Sequence, residues 1–205
     1  MPATAYFIES YCHISSSGLN HNGTLNPSKE TNFDEYLKSL YRTLDLKYPK
    51  FFKMDTLSKL SFLGADILLE HSAEEKTETA LVFSNRSSSL DTDRKHQASI
   101  TAGADVYPSP AVFVYTLPNI GMGEIAIRHQ LHSENAFFVF DSFQAEFLQK
   151  YTLSLLHQKK ATRALCAWVE VDGHTRHGFF YMVSKEGTIP HTKTEIEQLF
   201  SAENV

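Results

Sequence analysis

Cysteine is scarce. The chain has 2, Cys12 and Cys166, too few and too widely spaced for a disulfide framework or a zinc finger. Cys166 lies in the apolar run ALCAWVEV and reads as a buried thiol. Positive charge is also short. Against 24 Asp and Glu stand 19 Lys and Arg, a net charge of −5, which argues against nucleic acid, whose phosphates are met by Lys and Arg. The 10 histidines add positive charge only at acid pH. No apolar run approaches the length of a membrane span, about 20 residues. The opening MPATAYFIESYCHIS lacks a basic segment followed by a long apolar one, so no signal peptide is expected. Asn22-Gly23-Thr24 and Asn85-Arg86-Ser87 fit the glycosylation sequon but, without export, read as chance matches. The expected location is the cytoplasm.

What is present is an ordinary globular composition, 42% hydrophobic and 21% charged over 205 residues, enough for one domain (1–205) with a sizeable core. Residues 5–14 carry strand formers and open the chain. Residues 15–32, rich in Ser, Asn and Gly, read as a surface loop. Leu37, Leu40, Tyr41 and Leu44 recur at helical spacing. Asp55 and Thr56 can cap a stronger helix with Leu57, Leu60, Leu63, Ile67 and Leu68 on one face. ALVFSN (80–85) is a buried-strand run, followed by SSSLDTD as a loop with helix-capping residues. GEIAIRHQL (123–131) reads as a helix and FFVF (137–140) as a strand. A helix over 142–157 follows, with Phe143, Phe147, Tyr151 and Leu155 at a four-residue step. RALCAWVEVDG and HGFFYMVSKEG form two strands joined through Asp172-Gly173, a strong hairpin signal. A short helix from 194 onward closes the chain. The alternation implies an α/β fold with antiparallel pairing at its end.

Three motifs bear on chemistry. GMGEIA (121–126) fits a loose dinucleotide pattern, but Leu117-Pro118-Asn119 stands where that pattern needs a strand. Its glycines read as small residues for close helix packing. His129 with His132, and His174 with His177, have no converging cysteine or carboxylate in sequence and read as solvated. Glu74, Glu75 and Glu78 read as lining a solvated loop. In FFVFDSFQAEF (137–147) a strand turns sharply toward a helix, a place where enzymes present a nucleophile. Ser142 sits at that turn, either as a nucleophile needing a general base or as a helix N-cap.

The segment PSPAVFVYTLPNIGMGEIAIRHQLHSENAFFVFDS (108–142) resembles the N-terminal half of β-ketoacyl synthases, condensing enzymes of the thiolase fold. Pro118-Asn119, Gly123 and Asn135 match that pattern. ALVFSN, SSSLDTD, Phe52-Lys53-Met54-Asp55 and ALCAWVEVDG are similar to further stretches of it, so the clearest resemblance spans 50–175. It implies a thiolase-like half: a mixed sheet of about five strands flanked by helices, with the C-terminal antiparallel hairpin. The family's catalytic cysteine falls at Ser142, and bulky Phe143 and Gln144 replace the small residues that follow it. The family's two catalytic histidines belong to a C-terminal half that lies beyond this chain. Condensation needs a thiolate of low pKa and donors for the enolate, which a serine does not supply.

The resemblance therefore implies a non-condensing, chain-length-factor-like subunit with no catalytic residue, no cofactor and no metal. Such subunits are similar to components of aryl polyene and dialkylresorcinol pigment pathways. The implied partner is a complete β-ketoacyl synthase in a heterodimer, or a second copy in a homodimer, with acyl carrier protein as a further contact. Ile120, Met122, Phe137, Phe138, Phe140 and Phe143 are the candidates for dimer contact and cavity wall. Two other readings stay open: a Ser142-dependent acyltransferase or hydrolase, and a homodimeric acyl-binding module.

Overall fold

A computed structural model describes residues 5–70, 76–101 and 108–202. One sheet organises them. Its strands are β1 (Phe7–Ser15), β2 (Gly18–His21), β3 (Thr24–Pro27), β4 (Thr79–Asn85), β5 (Asn135–Val139), β6 (Arg163–Asp172), β7 (Thr175–Ser184) and β8 (Ile189–Pro190). The order is β3-β2-β1-β7-β6-β4-β5, with β8 beside β1. Strand β4 pairs parallel with β5 and β6, and the other pairings are antiparallel. The helices are α1 (Phe33–Thr43), α2 (Thr56–Glu70), α3 (Leu90–Thr101), α4 (Pro110–Val114), α5 (Ile120–His129), α6 (Ala145–His157) and α7 (Lys193–Ser201), with a 3-10 turn at Pro49–Lys53.

The mixed sheet and its helices match the expected class, but the sheet has eight strands rather than about five. Most of the difference lies in residues 15–32, which are not one loop but the ribbon β2–β3. Asn22 and Gly23 turn that ribbon at φ +49° and +83°, the two-residue geometry that Asn-Gly favours between strands. The stretch SSSLDTD is likewise less loop than expected, because α3 begins at Leu90. Glu74 and Glu75 lie outside the described residues, while Glu78 is exposed.

Alternation along the strands divides the core into two layers. Leu81, Phe83, Leu165, Ala167, Phe180 and Met182 face α1, α2 and α5. Ala80, Val82, Ala164, Cys166, Phe179 and Tyr181 face α6 and α7. Strand β1 changes allegiance midway. Ile8 belongs to the second layer, whereas Cys12 and Ile14 belong to the first. A register shift between Ile8 and Ser10 in the β1–β7 pairing produces the switch, because one extra residue inverts every side chain beyond it. Glu9 sits at that bulge. Its carboxylate accepts two bonds from the enclosed guanidinium of Arg163, Nη2 to Oε2 at 2.6 Å and Nε to Oε1 at 3.2 Å, a paired geometry that burial of arginine requires.

Helix α2 is buried at every position from Thr56 to Leu69. Gly64 lets it reach the sheet: a Cβ there would stand 2.2 Å from the ring of Phe180, which Gly178 also accommodates. Gly64→Ala should lower stability by about 1–3 kcal/mol, the usual cost of overpacking. Thermal unfolding should shift down by roughly 5 °C, and an unchanged midpoint would refute this contact as the limit on helix approach.

His191 opens the connection from β8 to α7, buried with neither ring nitrogen hydrogen-bonded. Burial lowers its pKa from 6.5 to about 4. Between those values the unfolded chain takes up a proton that the folded chain refuses, so stability present above pH 6.5 is lost as pH falls toward 4. Urea unfolding of wild type and His191→Leu should show the stability difference between them changing by about 3 kcal/mol across that window, and parallel profiles would contradict the assignment.

Candidate functional site

The chain leaves the sheet at Val139 and enters α6 at Ala145. Phe140 N–H donates to Asn85 O at 2.9 Å, extending the tie to β4 by one residue. Asp141 and Ser142 then stand exposed. The N-cap position of α6 is Gln144, at φ −118° and ψ 72°, and no side chain caps the helix. The helix thus begins three residues after the start expected at 142, and Ser142 is not its cap. The cause is Phe143, which stacks on Phe200 at 4.0 Å and meets Trp168 and Phe179 edge-on. Docking of that ring holds the chain out of helical geometry until Gln144.

Ser142 Oγ accepts a hydrogen bond from Gln144 Nε2 at 3.2 Å. An amide is not a base, so this arrangement does not activate the hydroxyl as a nucleophile. The two thiols offer no substitute. Cys12 and Cys166 are fully buried, and burial pushes the Cys166 thiol up to about 11 and that of Cys12 higher still. Both favour the unreactive protonated form.

The six aromatic and aliphatic candidates do not form one cluster. Phe138 and Phe140 stack in parallel at 5.9 Å, and both meet Phe147 edge-on. Tyr151 closes the group, 5.0 Å from Phe138 and stacked with Phe147. Phe137 points to the opposite layer and packs with Ile120 against the core around α2. Met122 is enclosed in that same core, 1% exposed, and Phe143 lies between the sheet and α7. Phe147 and Tyr151 were legible as helical-period residues, but only the fold puts them beside Phe138. Strand β5 is the last in the sheet and pairs on one side only. Val139 at its end is 54% exposed and Phe147 38% exposed.

Of the four histidines His132 and His174 are exposed and His177 is half-buried near Phe200, but His129 departs most from expectation. His129 is not solvated but buried. Its Nε2 lies 3.2 Å from Asp66 Oδ1 and its Nδ1 lies 3.8 Å from Glu70 Oε1. These three side chains could offer ligands to a metal, their donor atoms lying within 4.8 Å. The geometry fits a packing clasp between α2 and α5 better, in which the 3.2 Å approach of His129 Nε2 to Asp66 is not aligned as a hydrogen bond. The two carboxylates face different nitrogens of one ring, and Arg128 Nε competes for Asp66 Oδ1 at 3.5 Å. A metal needs donors that converge on one point. A few residues earlier, Glu124 accepts from Tyr48 Oη at 2.6 Å and Lys50 Nζ at 3.0 Å. Burial, then this carboxylate, raises the Tyr48 hydroxyl to about 12. Of the two glycines in GMGEIA, Gly121 serves close packing, since a Cβ would lie 3.2 Å from Ser58 Cα, while Gly123 meets nothing. No strand leads into α5.

No protein-family model matches the sequence, and no curated protein matches it. Solved structures do. A chain from the complex of a ketosynthase with its chain length factor from Xenorhabdus doucetiae superposes with a TM-score of 0.63 at 15% identity, covering 97% of this chain and 91% of that one. The fold is that of the β-ketoacyl synthases. The ishigamide ketosynthase/chain length factor gives 0.62 at 15% identity, and a β-ketoacyl synthase from Burkholderia phymatum STM815 gives 0.59 at 9%. The chain spans 62% and 59% of the lengths of those two. Within this ketosynthase-like, thiolase-type fold, β5 and the turn after it carry the position that the sequence resemblance assigned to the catalytic cysteine.

Two substitutions separate the exposed turn from the buried clasp. Ser142→Ala should change stability by no more than about 0.5 kcal/mol, as for a surface residue without a capping role. Asp66→Asn should cost about 1–3 kcal/mol, because it weakens the acceptor that Arg128 Nε meets at a buried position. Urea unfolding of both variants checks this, and equal midpoints would contradict it.

Proposed function

We propose that this chain is a non-condensing, chain-length-factor-like subunit that pairs with a complete β-ketoacyl synthase. The reading takes 1–205 as one ketosynthase-N-terminal-like domain working in the cytoplasm. Its pathway is fatty-acid or polyketide-type biosynthesis of the aryl polyene or dialkylresorcinol class. The observation that carries it is the pairing of two features at one place. An edge strand bears partly exposed aromatics, and the turn that follows it holds a serine whose only hydrogen bond among the described residues is to an amide.

The edge supports the subunit half of the reading. A strand with unpaired N–H and C=O groups invites pairing with another strand, and β5 alternates Phe138 with exposed Val139 along such an edge. Joining it to a partner's strand extends the sheet and covers Phe138, Phe140 and Phe147. An obligate interface of this kind buries on the order of 2,000 Å². The serine supports the non-condensing half, since it lacks the thiolate that condensation needs. The likeness to chains from ketosynthase and chain length factor structures agrees with both halves. Acyl carrier protein is then the carrier of the growing chain, and Phe138 and Phe140 contribute to the wall of the acyl cavity. A homodimer through the same edge is the second reading, favoured by the same open strand.

The test is co-expression with a complete ketosynthase encoded beside this gene, followed by size-exclusion chromatography with light scattering. Wild type should co-elute with the ketosynthase. Val139→Lys, exposed in the single chain, and Phe138→Lys should abolish co-elution, whereas Glu197→Lys on α7 should not. A soluble wild-type monomer that never associates with a ketosynthase sinks the proposal, and self-association alone selects the homodimer. Purified alone with malonyl and acyl carrier-protein thioesters, the chain should release no carbon dioxide above background.

A further inference from the structure

A cleft of about 360 Å³ opens where α1, the first turn of α2, α3 and α4 meet, well apart in sequence from the turn at Ser142. Four lysines line it: Lys38, Lys53, Lys59 and Lys95. Two carboxylates, Asp34 and Asp55, share it, but their oxygens are engaged. Asp34 Oδ1 accepts from Thr56 Oγ1 at 2.7 Å, and its Oδ2 faces Arg176 at 3.4 Å. Asp55 Oδ1 accepts from the Ser58 N–H at 2.9 Å, and its Oδ2 accepts from Thr92 Oγ1 at 2.7 Å. The outer lysines lean on surface acids, Lys38 on Glu35 and Lys95 on Asp91, each at 2.7 Å.

Lys59 is the exception. It is 9% exposed, and among the described residues its ammonium makes no hydrogen bond and no ion pair. Lys53, at the cleft's mouth, is also unpaired among them. The side chain is covered, but its ammonium keeps an opening to the cleft, and no hydrogen bond among the described residues replaces the hydration it has lost. Burial pulls the Lys59 pKa down, while Asp34 and Asp55 hold it up from a distance. The remaining wall is apolar: Met54, Ala111, Val112 and the ring of Tyr115.

We propose that this cleft binds a phosphate monoester, with the phosphoryl group on Lys59 and the organic portion against Met54, Val112 and Tyr115. Among the lining residues four lysines stand against two carboxylates, an excess of two positive charges that suits a dianion. Lys38 and Lys95 sit on flexible stems and can turn from their surface acids toward a stronger acceptor. The volume lies at the small end of ligand pockets, roughly 300–1,000 Å³, which suits a single phosphoryl group on a compact stem.

Titration at constant ionic strength, which separates site binding from screening, tests the proposal by calorimetry and phosphorus NMR. The probes are inorganic phosphate, phenyl phosphate and benzoate. Phosphate should bind with a Kd on the order of 1 mM, and phenyl phosphate about tenfold more tightly. Lys59→Met should weaken both at least about tenfold, as loss of a charge-assisted contact predicts. Lys150→Gln, in an exposed pair on α6, should leave them unchanged. If Lys59→Met does not fold, Lys59→Arg must retain binding, and the Lys59 side-chain NMR signal of wild type must move on adding phosphate but not chloride. Absence of saturable binding, binding indifferent to Lys59, or benzoate binding as tightly as phenyl phosphate overturns the proposal.

Discussion

Helix α2 has no open face. Thr56 to Leu69 are all buried, so every side of the helix must meet a surface of matching shape. Its apolar residues meet the sheet and α1, and Thr56, Ser58, Lys59, Ser61 and Asp66 are buried with them. The sheet covers one side, with Gly64 against Phe180 setting the distance. Helix α5 covers another, admitted by Gly121 over Ser58. Helix α1 and the 3-10 turn supply Leu37, Tyr41 and Phe51 to the same core. Packing at crystal-like density leaves little tolerance at such contacts, so the placement of α2 governs the placement of the elements around it.

The polar residues of α2 inherit that enclosure. Asp66 is buried among apolar neighbours and lies beside Arg128 and His129. That clasp ties the C-terminal end of α5 to the C-terminal part of α2. Glu124 makes the corresponding link from α5 to the segment before α2, through Tyr48 and Lys50. Near its N-terminus α2 carries Lys59, which has no such partner among the described residues. One buried charge is therefore closed within the fold, and the other faces a cleft.

The sheet shows a similar division between closed and open ends. At β1 the bulge at Glu9 reverses the facing of the strand and places a carboxylate over buried Arg163, so that part of the sheet is internally satisfied. Ribbon β2–β3 then covers the outer edge of β1. At the other end β5 is short, partly exposed and paired on one side. Its aromatics cluster with Phe147 and Tyr151 on α6 but are not fully covered. Both outermost strands, β3 and β5, pair on one side, but only β5 carries a cluster of aromatics along its open edge.

Local pattern alone determined much of this. The apolar spacing of α1 and α2, the continuous run of β4 and the Asp172-Gly173 turn between β6 and β7 each express a short-range preference, and each element formed as its residues imply. The Asn22-Gly23 turn was equally written in the chain. It was obscured because GLNH and TLNP carry little apolar alternation, being a surface ribbon. The strand-to-turn passage at 137–142 was legible, and so was the serine at its end. What holds the turn was not, because Phe200 and Trp168 reach Phe143 only through the packing of α7 and β6. The same holds for His129, whose burial depends on a carboxylate one helix away, and for Lys59, whose isolation depends on where Asp34 and Asp55 spend their oxygens. Sequence fixes which segments prefer helix or strand, since that preference is decided within a few residues. Which charges are paired, and which edge is left open, depends on contacts between distant segments, and those exist only once the layers have packed.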